Sequence, residues 1–155
     1  MADKKLAIIA TKGTFDWAYP PFILASTAAA LGYEVQIFCT FYGLQLLRKK
    51  MDMKVTSIGN PGMPMPIPMP VMMQALPGMQ SMMTMMMKQK MKSKGVASLE
   101  ELRELCLEAE VKLIACQMTV DLFEFSTSEF LEGVEYGGAA TFFEFAGESD
   151  ICLFI

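Results

Sequence analysis

The chain contains no histidine. That absence removes the commonest transition-metal ligand and the usual base of Ser-His and Cys-His nucleophile pairs. Charge is sparse as well: 19% of residues are charged, below the ordinary ~25%, and 17 Asp and Glu outnumber 13 Lys and Arg. The basic residues concentrate only at Lys88, Lys90, Lys92 and Lys94, so the extended footprint of a nucleic-acid binder is missing. No three-glycine fingerprint follows the first apolar run, where "ATKGTFDWAYPP" holds one glycine, and no phosphate-cradling P-loop occurs. The four cysteines, at 39, 106, 116 and 152, form no CxxC pair and no zinc spacing. No metal and no cofactor are expected.

The amino-terminal stretch "MADKKLAIIATKG" has an apolar run too short for the core of a signal peptide or for a membrane span. The expectation is a reducing cytoplasm, in which these cysteines stay thiols. With 155 residues, 53% of them hydrophobic, the chain is long enough to bury one substantial core, and a single domain over 1–155 is expected.

Along the chain, apolar runs alternate with helical patterns. "LAIIAT" (6–11) suits a strand buried on both faces, and "PPFILASTAAALG" a helix with proline at its start and Gly32 at its stop. "EVQIFCT" (34–40) predicts a second strand, "FYGLQLLRKKM" a second helix, and "KVTSIG" (54–59) a short third strand. Farther on, "SLEELRELCLEAE" opens as a capping box, with Ser98 as N-cap and Glu101 three residues later. Leu99, Leu102, Cys106 and Ala109 then share one helical face. "VKLIACQ" (111–117) predicts the fourth strand, "STSEFLEGV" and "GGAATFFEFAG" two short helices, and "DICLFI" the fifth strand. Strands separated by helices imply crossovers, hence a three-layer, doubly wound α/β domain with a mainly parallel five-stranded sheet.

In open sheets of this kind, reactive groups gather beyond the carboxyl ends of the strands. Cys39 and Cys116 stand near such ends, whereas Cys106 on a helix face and Cys152 in an apolar run read as structural thiols. After Cys116, Thr119 or Asp121 can cap a helical turn whose free N–H groups favour negative charge. If Lys12, beside Gly13 at the end of the first strand, lines the same rim, it adds a second favourable charge. A thiolate attacking a sulfur already bonded to sulfur needs partial ionisation and access but no general base, so sulfur transfer suits a chain without histidine. Carboxylate pairs such as Glu100 with Glu101 and Glu144 with Glu148 lie on amphipathic helices, where a solvated face explains them.

The first strand and helix, "KLAIIATKGTFDWAYPPFILASTAAALGYEVQIFCTFYGLQLL", the motif "LIACQMTVDLFEF" and the ending "FLEGVEYGGAATFFEFAGESDICLFI" resemble the DsrE/DsrF-like family of sulfur-relay proteins. The segment "GNPGMPMPIPMP" resembles the insertion of one branch of that family. The resemblance implies a flavodoxin-like fold, oligomers, and a cysteine that accepts sulfane sulfur as a persulfide from a rhodanese-like or small TusA-like carrier. By position the acceptor matches Cys116 and the branch's second cysteine matches Cys39; Lys12, Gly13, Gln117, Met118, Thr119 and Asp121 are the residues expected to line the site. Cys39 is expected to relay sulfur, protect Cys116 as a disulfide, or pack nearby. The rival expectation is an oligomeric or membrane-associated scaffold with inert cysteines.

Residues 60–95 hold twelve of the 16 methionines and six of the 8 prolines. Soft thioethers suit copper(I), but Met63, Met65 and Met69 alternate with prolines, Met82, Met83, Met85, Met86 and Met87 read as helix surface, and no cysteine lies among them. The apolar stretch from Val71 to Met87 is interrupted by Pro77-Gly78 and falls short of a ~20-residue span, which leaves peripheral contact with a membrane surface. The favoured reading is an arm followed by a broken methionine-rich helix within the domain, covering the domain or a neighbouring copy in a homo-oligomer.

Overall fold

The apolar runs at 6–11, 34–40, 111–117 and 150–155 each find a parallel neighbour. In the computed structural model, which describes residues 3–56, 72 and 76–155, the strands are β1 (Lys5–Ala10), β2 (Glu34–Cys39), β3 (Lys112–Cys116), β4 (Glu135–Gly137) and β5 (Ile151–Phe154). They form one five-stranded sheet in the order β4-β3-β2-β1-β5, and every adjacent pair is parallel. The crossovers carry α1 (Phe15–Ala30), α2 (Met79–Ser93), α3 (Leu99–Glu108), α4 (Gln117–Leu122) and α5 (Ala139–Ala146).

Strand side chains alternate between faces, and the alternation sorts the core. Leu6, Ile8 and Ala10 of β1, Val35, Ile37 and Cys39 of β2, and Leu113 and Ala115 of β3 join Phe22 and Ala25 of α1 and Cys106 of α3 in the larger cluster. The intervening Phe38, Ile114 and Cys116, with Ile9, meet Phe142 of α5 in a smaller one. The sheet is thus covered on both faces, as the alternation of strands and helices requires, but unequally: no residue of α5 is buried. Phe143 and Phe154 on that side are 68% and 73% exposed.

Several elements differ from the sequence-based expectation. The helix α1 begins at Phe15, not at the prolines, and holds Pro20 and Pro21 inside. Each proline forfeits one intrahelical hydrogen bond, and burial of Phe15, Ala18, Tyr19, Phe22 and Ala25 offsets the loss. Residues Phe41–Leu47 form a 3-10 turn in place of an α-helix, and within it Gly43 lies so close to β1 that a Cβ there would overlap the Ala10 carbonyl. Lys54–Thr56 form no strand, and the rest of that expected element, 57–59, lies outside the described residues. The strand not expected is Glu135–Gly137, between the two segments expected to be helical; of these, 126–134 holds only the 3-10 turn Thr127–Glu129, and 137–147 holds α5. Three residues with one aromatic are too short to show alternation, and pairing with β3 makes them a strand.

The capping box on α3 forms as expected: Glu101 N–H donates to Ser98 Oγ at 3.2 Å, and Ser98 N–H to Glu101 Oε2 at 2.7 Å. Arg103 turns its guanidinium inward and donates to the carbonyls of Leu46, Arg48 and Lys49 at 3.0, 2.6 and 3.3 Å. It thereby satisfies the end of the 3-10 turn that follows β2.

In α2, Met79, Met83, Met87 and Met91 recur every fourth residue and pack against the larger core. Met82, Met85 and Met86 face outward and are exposed. Thr84 Oγ1 accepts the Val55 N–H at 3.0 Å and donates to the Gln80 carbonyl at 2.7 Å, tying the helix to the segment after the 3-10 turn. One face of the methionine-rich helix is therefore covered within the chain. The proline-alternating part of the expected insertion lies outside the described residues. Among the described residues, no helix is long and apolar enough to cross a membrane.

Candidate functional site

A strand ends at Cys116 and a helix starts at Gln117 with no intervening loop, so the thiol occupies the N-cap position of α4. Its side chain closes no capping hydrogen bond of ordinary geometry. The N–H groups of Met118 and Thr119 nonetheless favour its charged form, together with the hydroxyls of Thr119 and Thr40. Burial pushes the Cys116 thiol up, but these neighbouring donors outweigh it, and the net direction is below the ordinary thiol value. The residue is 6% exposed.

Thr40 stands beside Cys116 for a reason of register. In the β2–β3 ladder Phe38 pairs with Ile114 and Cys39 with Ala115, so the next step brings Thr40 alongside Cys116 on the same face. Thr119, fully buried, lies 3.3 Å from Thr40 between hydroxyl oxygens and accepts the Phe41 N–H at 3.2 Å. Phe41 takes a left-handed backbone, with φ of 48°, at the residue whose N–H makes this bond. Sequence reasoning named Thr119 but not Thr40; its position directly after a strand-end cysteine was the available signal.

The other residues expected at the site scatter. Thr119 does not cap the helix but sits inside its first turn, and Asp121 accepts the Gln117 Nε2 hydrogen at 2.8 Å on the exposed face of α4. Met118 is exposed next to the thiol. Lys12 Nζ is held 3.9 Å above the Trp17 ring centroid. With Gly13 it lines an open cleft of ≈ 630 Å³ shared with Trp17, Tyr42 and Lys54, and Cys116 is not in that lining. The cleft and α4 are linked through Tyr42, which stacks on Phe123 at 6.0 Å and 20°.

Cys39 departs furthest from expectation. It packs in the larger core at 0% exposure, on the face of the sheet opposite Cys116. Burial pushes its thiol far above the ordinary value, which leaves it neutral and inaccessible. Cys106 is pushed up to about 11, chiefly by burial, and donates to the Phe22 carbonyl at 3.5 Å. Cys152, expected to be buried, is exposed because β5 is an edge strand beside the thinly covered face. One thiol therefore combines a strand-end position with neighbouring donors that favour its anion.

The chain is 77% identical, over the full length of both chains, to a protein of Allochromatium vinosum named Sulfur carrier protein DsrE2. It is 35% identical to YrkE of Bacillus subtilis, described as uncharacterized, with 98% of this chain and 97% of that one covered. The crystal structure of the ychN protein from E. coli superposes with a TM-score of 0.56 at 14% identity, covering 98% of this chain and 99% of that one, and shares the fold. A sequence profile matches residues 2–154, and the chain belongs to the DsrE/DsrF/DrsH-like family.

Proposed function

We propose that this protein is a sulfur carrier that takes up sulfane sulfur on Cys116 as a persulfide and passes it to a partner thiol. The observation that carries the reading is the contrast among the thiols: Cys116 is favoured as an anion at a strand end, while Cys39 and Cys106 are raised and packed. The name of the 77% identical relative supports it. In the loading step the Cys116 thiolate attacks the outer sulfur of a donor persulfide, R–S–SH. The donor S–S bond breaks, a new one forms at Cys116, and the donor leaves as R–S⁻. An acceptor thiolate then attacks the outer sulfur and releases the Cys116 thiolate. Electrons balance in both steps, and neither needs a general base, which agrees with the absence of histidine.

A TusA-like or rhodanese-like carrier is the donor or acceptor we assign, in a cytoplasmic setting. Cys39 serves in packing. Exposed Phe143 and Phe154 favour association of copies through the α5–β5 face, to be checked by light scattering. Exposed Met82, Met85 and Met86 next to the lysine run suit peripheral contact with an anionic membrane surface, to be checked by vesicle sedimentation. Intact-mass analysis after incubation with a persulfidated donor tests the central reading. A gain of one sulfur atom that disappears in Cys116→Ser supports it; no gain, or an equal gain in Cys116→Ser, leaves an oligomeric scaffold with inert cysteines.

A further inference from the structure

Hydroxyl groups, not cations, surround the sulfur of Cys116. The Thr119 and Thr40 hydroxyls and the N–H groups of Thr119 and Met118 are the neighbours that favour its anion, and no lysine or arginine is among them. The nearest expected cation, Lys12, is engaged with Trp17. We propose that Thr40 and Thr119 form a paired-hydroxyl device that donates hydrogen bonds to the Cys116 sulfur and fixes its direction of attack, making both threonines positioning residues for sulfur transfer. The inference rests on the sulfur-carrier reading and adds the means by which its nucleophile is held.

Three geometric features carry it. The β2–β3 register sets Thr40 alongside Cys116 on one face, and Thr119 is the third residue of the helix that Cys116 opens. The two hydroxyl oxygens lie 3.3 Å apart, so when either donates to the other, the accepting hydroxyl keeps its own hydrogen. Thr119 Oγ1 already accepts the Phe41 N–H, which fills one of its lone pairs and leaves its proton for donation. In either arrangement at least one O–H is available to the sulfur. Both hydroxyls are neutral, so they favour the anion without placing a counter-charge on the attacking atom. The same donors remain in place for the persulfide, whose terminal sulfur carries the negative charge when it ionises.

The test is the pH dependence of Cys116 alkylation by iodoacetamide, followed by peptide mass spectrometry in a Cys152→Ser background. In Thr119→Val and Thr40→Val the midpoint should rise by about one pH unit, the scale of one lost hydrogen bond to a charged group. Thr119→Ser, which keeps the hydroxyl, should hold the parent midpoint. An unchanged midpoint in both valine variants with native circular dichroism, or an equal rise in Thr119→Ser, overturns the proposal. If Thr119→Val fails to fold, Thr40→Val and Thr119→Ser decide between the same outcomes. Alkylation needs no sulfur donor, so the sulfur-carrier reading can fail in its mass assay while the hydroxyl pair stands, and the reverse.

Discussion

Cys39 lies opposite Ala115 in the β2–β3 ladder, one register step short of Cys116, and the two sulfurs leave the sheet from opposite faces. Neighbouring strands bring the residues close in sequence register, and the pleat sets their side chains apart. A disulfide requires Cβ atoms roughly 3.5–4.5 Å apart and facing each other, which a sheet between them prevents.

Mild oxidation of the native protein should therefore yield no Cys39–Cys116 linkage. Peptide mapping without reduction checks this, and recovery of the linked peptides would falsify the opposite-face placement. Cys39→Ala should leave sulfur loading of Cys116 unchanged and lower stability by about 1 kcal/mol, the scale of one small buried group, as read from urea unfolding. In native alkylation Cys116 and Cys152 should react, with Cys39 and Cys106 protected until the protein unfolds.

The pH dependence of stability has a definite sign. The folded-state value of Cys116 lies below that of the unfolded thiol, so its ionisation stabilises the fold. That contribution is fully present above the unfolded value of ~8.5 and is lost as pH falls through the folded one. Wild type should gain stability relative to Cys116→Ser as pH is raised toward 9 in urea titrations. A difference that stays flat, or shrinks, over that interval contradicts a lowered Cys116 thiol.

Arg103 spans three backbone carbonyls from a position 6% exposed. Arg103→Leu leaves those acceptors without their donor and should destabilise the protein by about 2–3 kcal/mol. Where the variant is folded, sulfur loading at saturating donor should persist, since Arg103 meets the 3-10 turn from the side of the larger core. Chemical denaturation gives the first quantity and intact mass the second.

Gly43→Ala puts a Cβ into the Ala10 carbonyl, a backbone-to-backbone clash that no rotamer relieves. The turn after β2 must shift, and Thr40 with it. We expect a loss of about 1–3 kcal/mol and a raised alkylation midpoint for Cys116. Parent-like values on both counts would show that the turn is free to move without disturbing the thiol.

Much of the architecture was legible because its cues are local. Apolar runs at 6–11, 34–40 and 111–117 became β1, β2 and β3, and the Ser98–Glu101 box capped α3, since each rests on residues within one turn or one strand. β4 was illegible because Glu135–Gly137 has little intrinsic strand character and acquires it only by pairing with β3. Pro20 and Pro21 read as a helix start because proline suits a first turn, yet burial on both sides of them extends α1 back to Phe15.

The sequence by itself determined that this is an α/β chain without a histidine base and with a cysteine at a strand end, because hydrophobic period and composition are written residue by residue. Only the tertiary structure decided what surrounds each cysteine. Strand order places β2 beside β3, register sets Thr40 next to Cys116, and the pleat sends Cys39 into the opposite core. Lys12, near in the expected rim, is drawn to Trp17 instead. The meeting of Thr40 with Thr119 depends on pairing between segments some eighty residues apart, and a cysteine's ionisation follows its neighbours rather than its position in the chain.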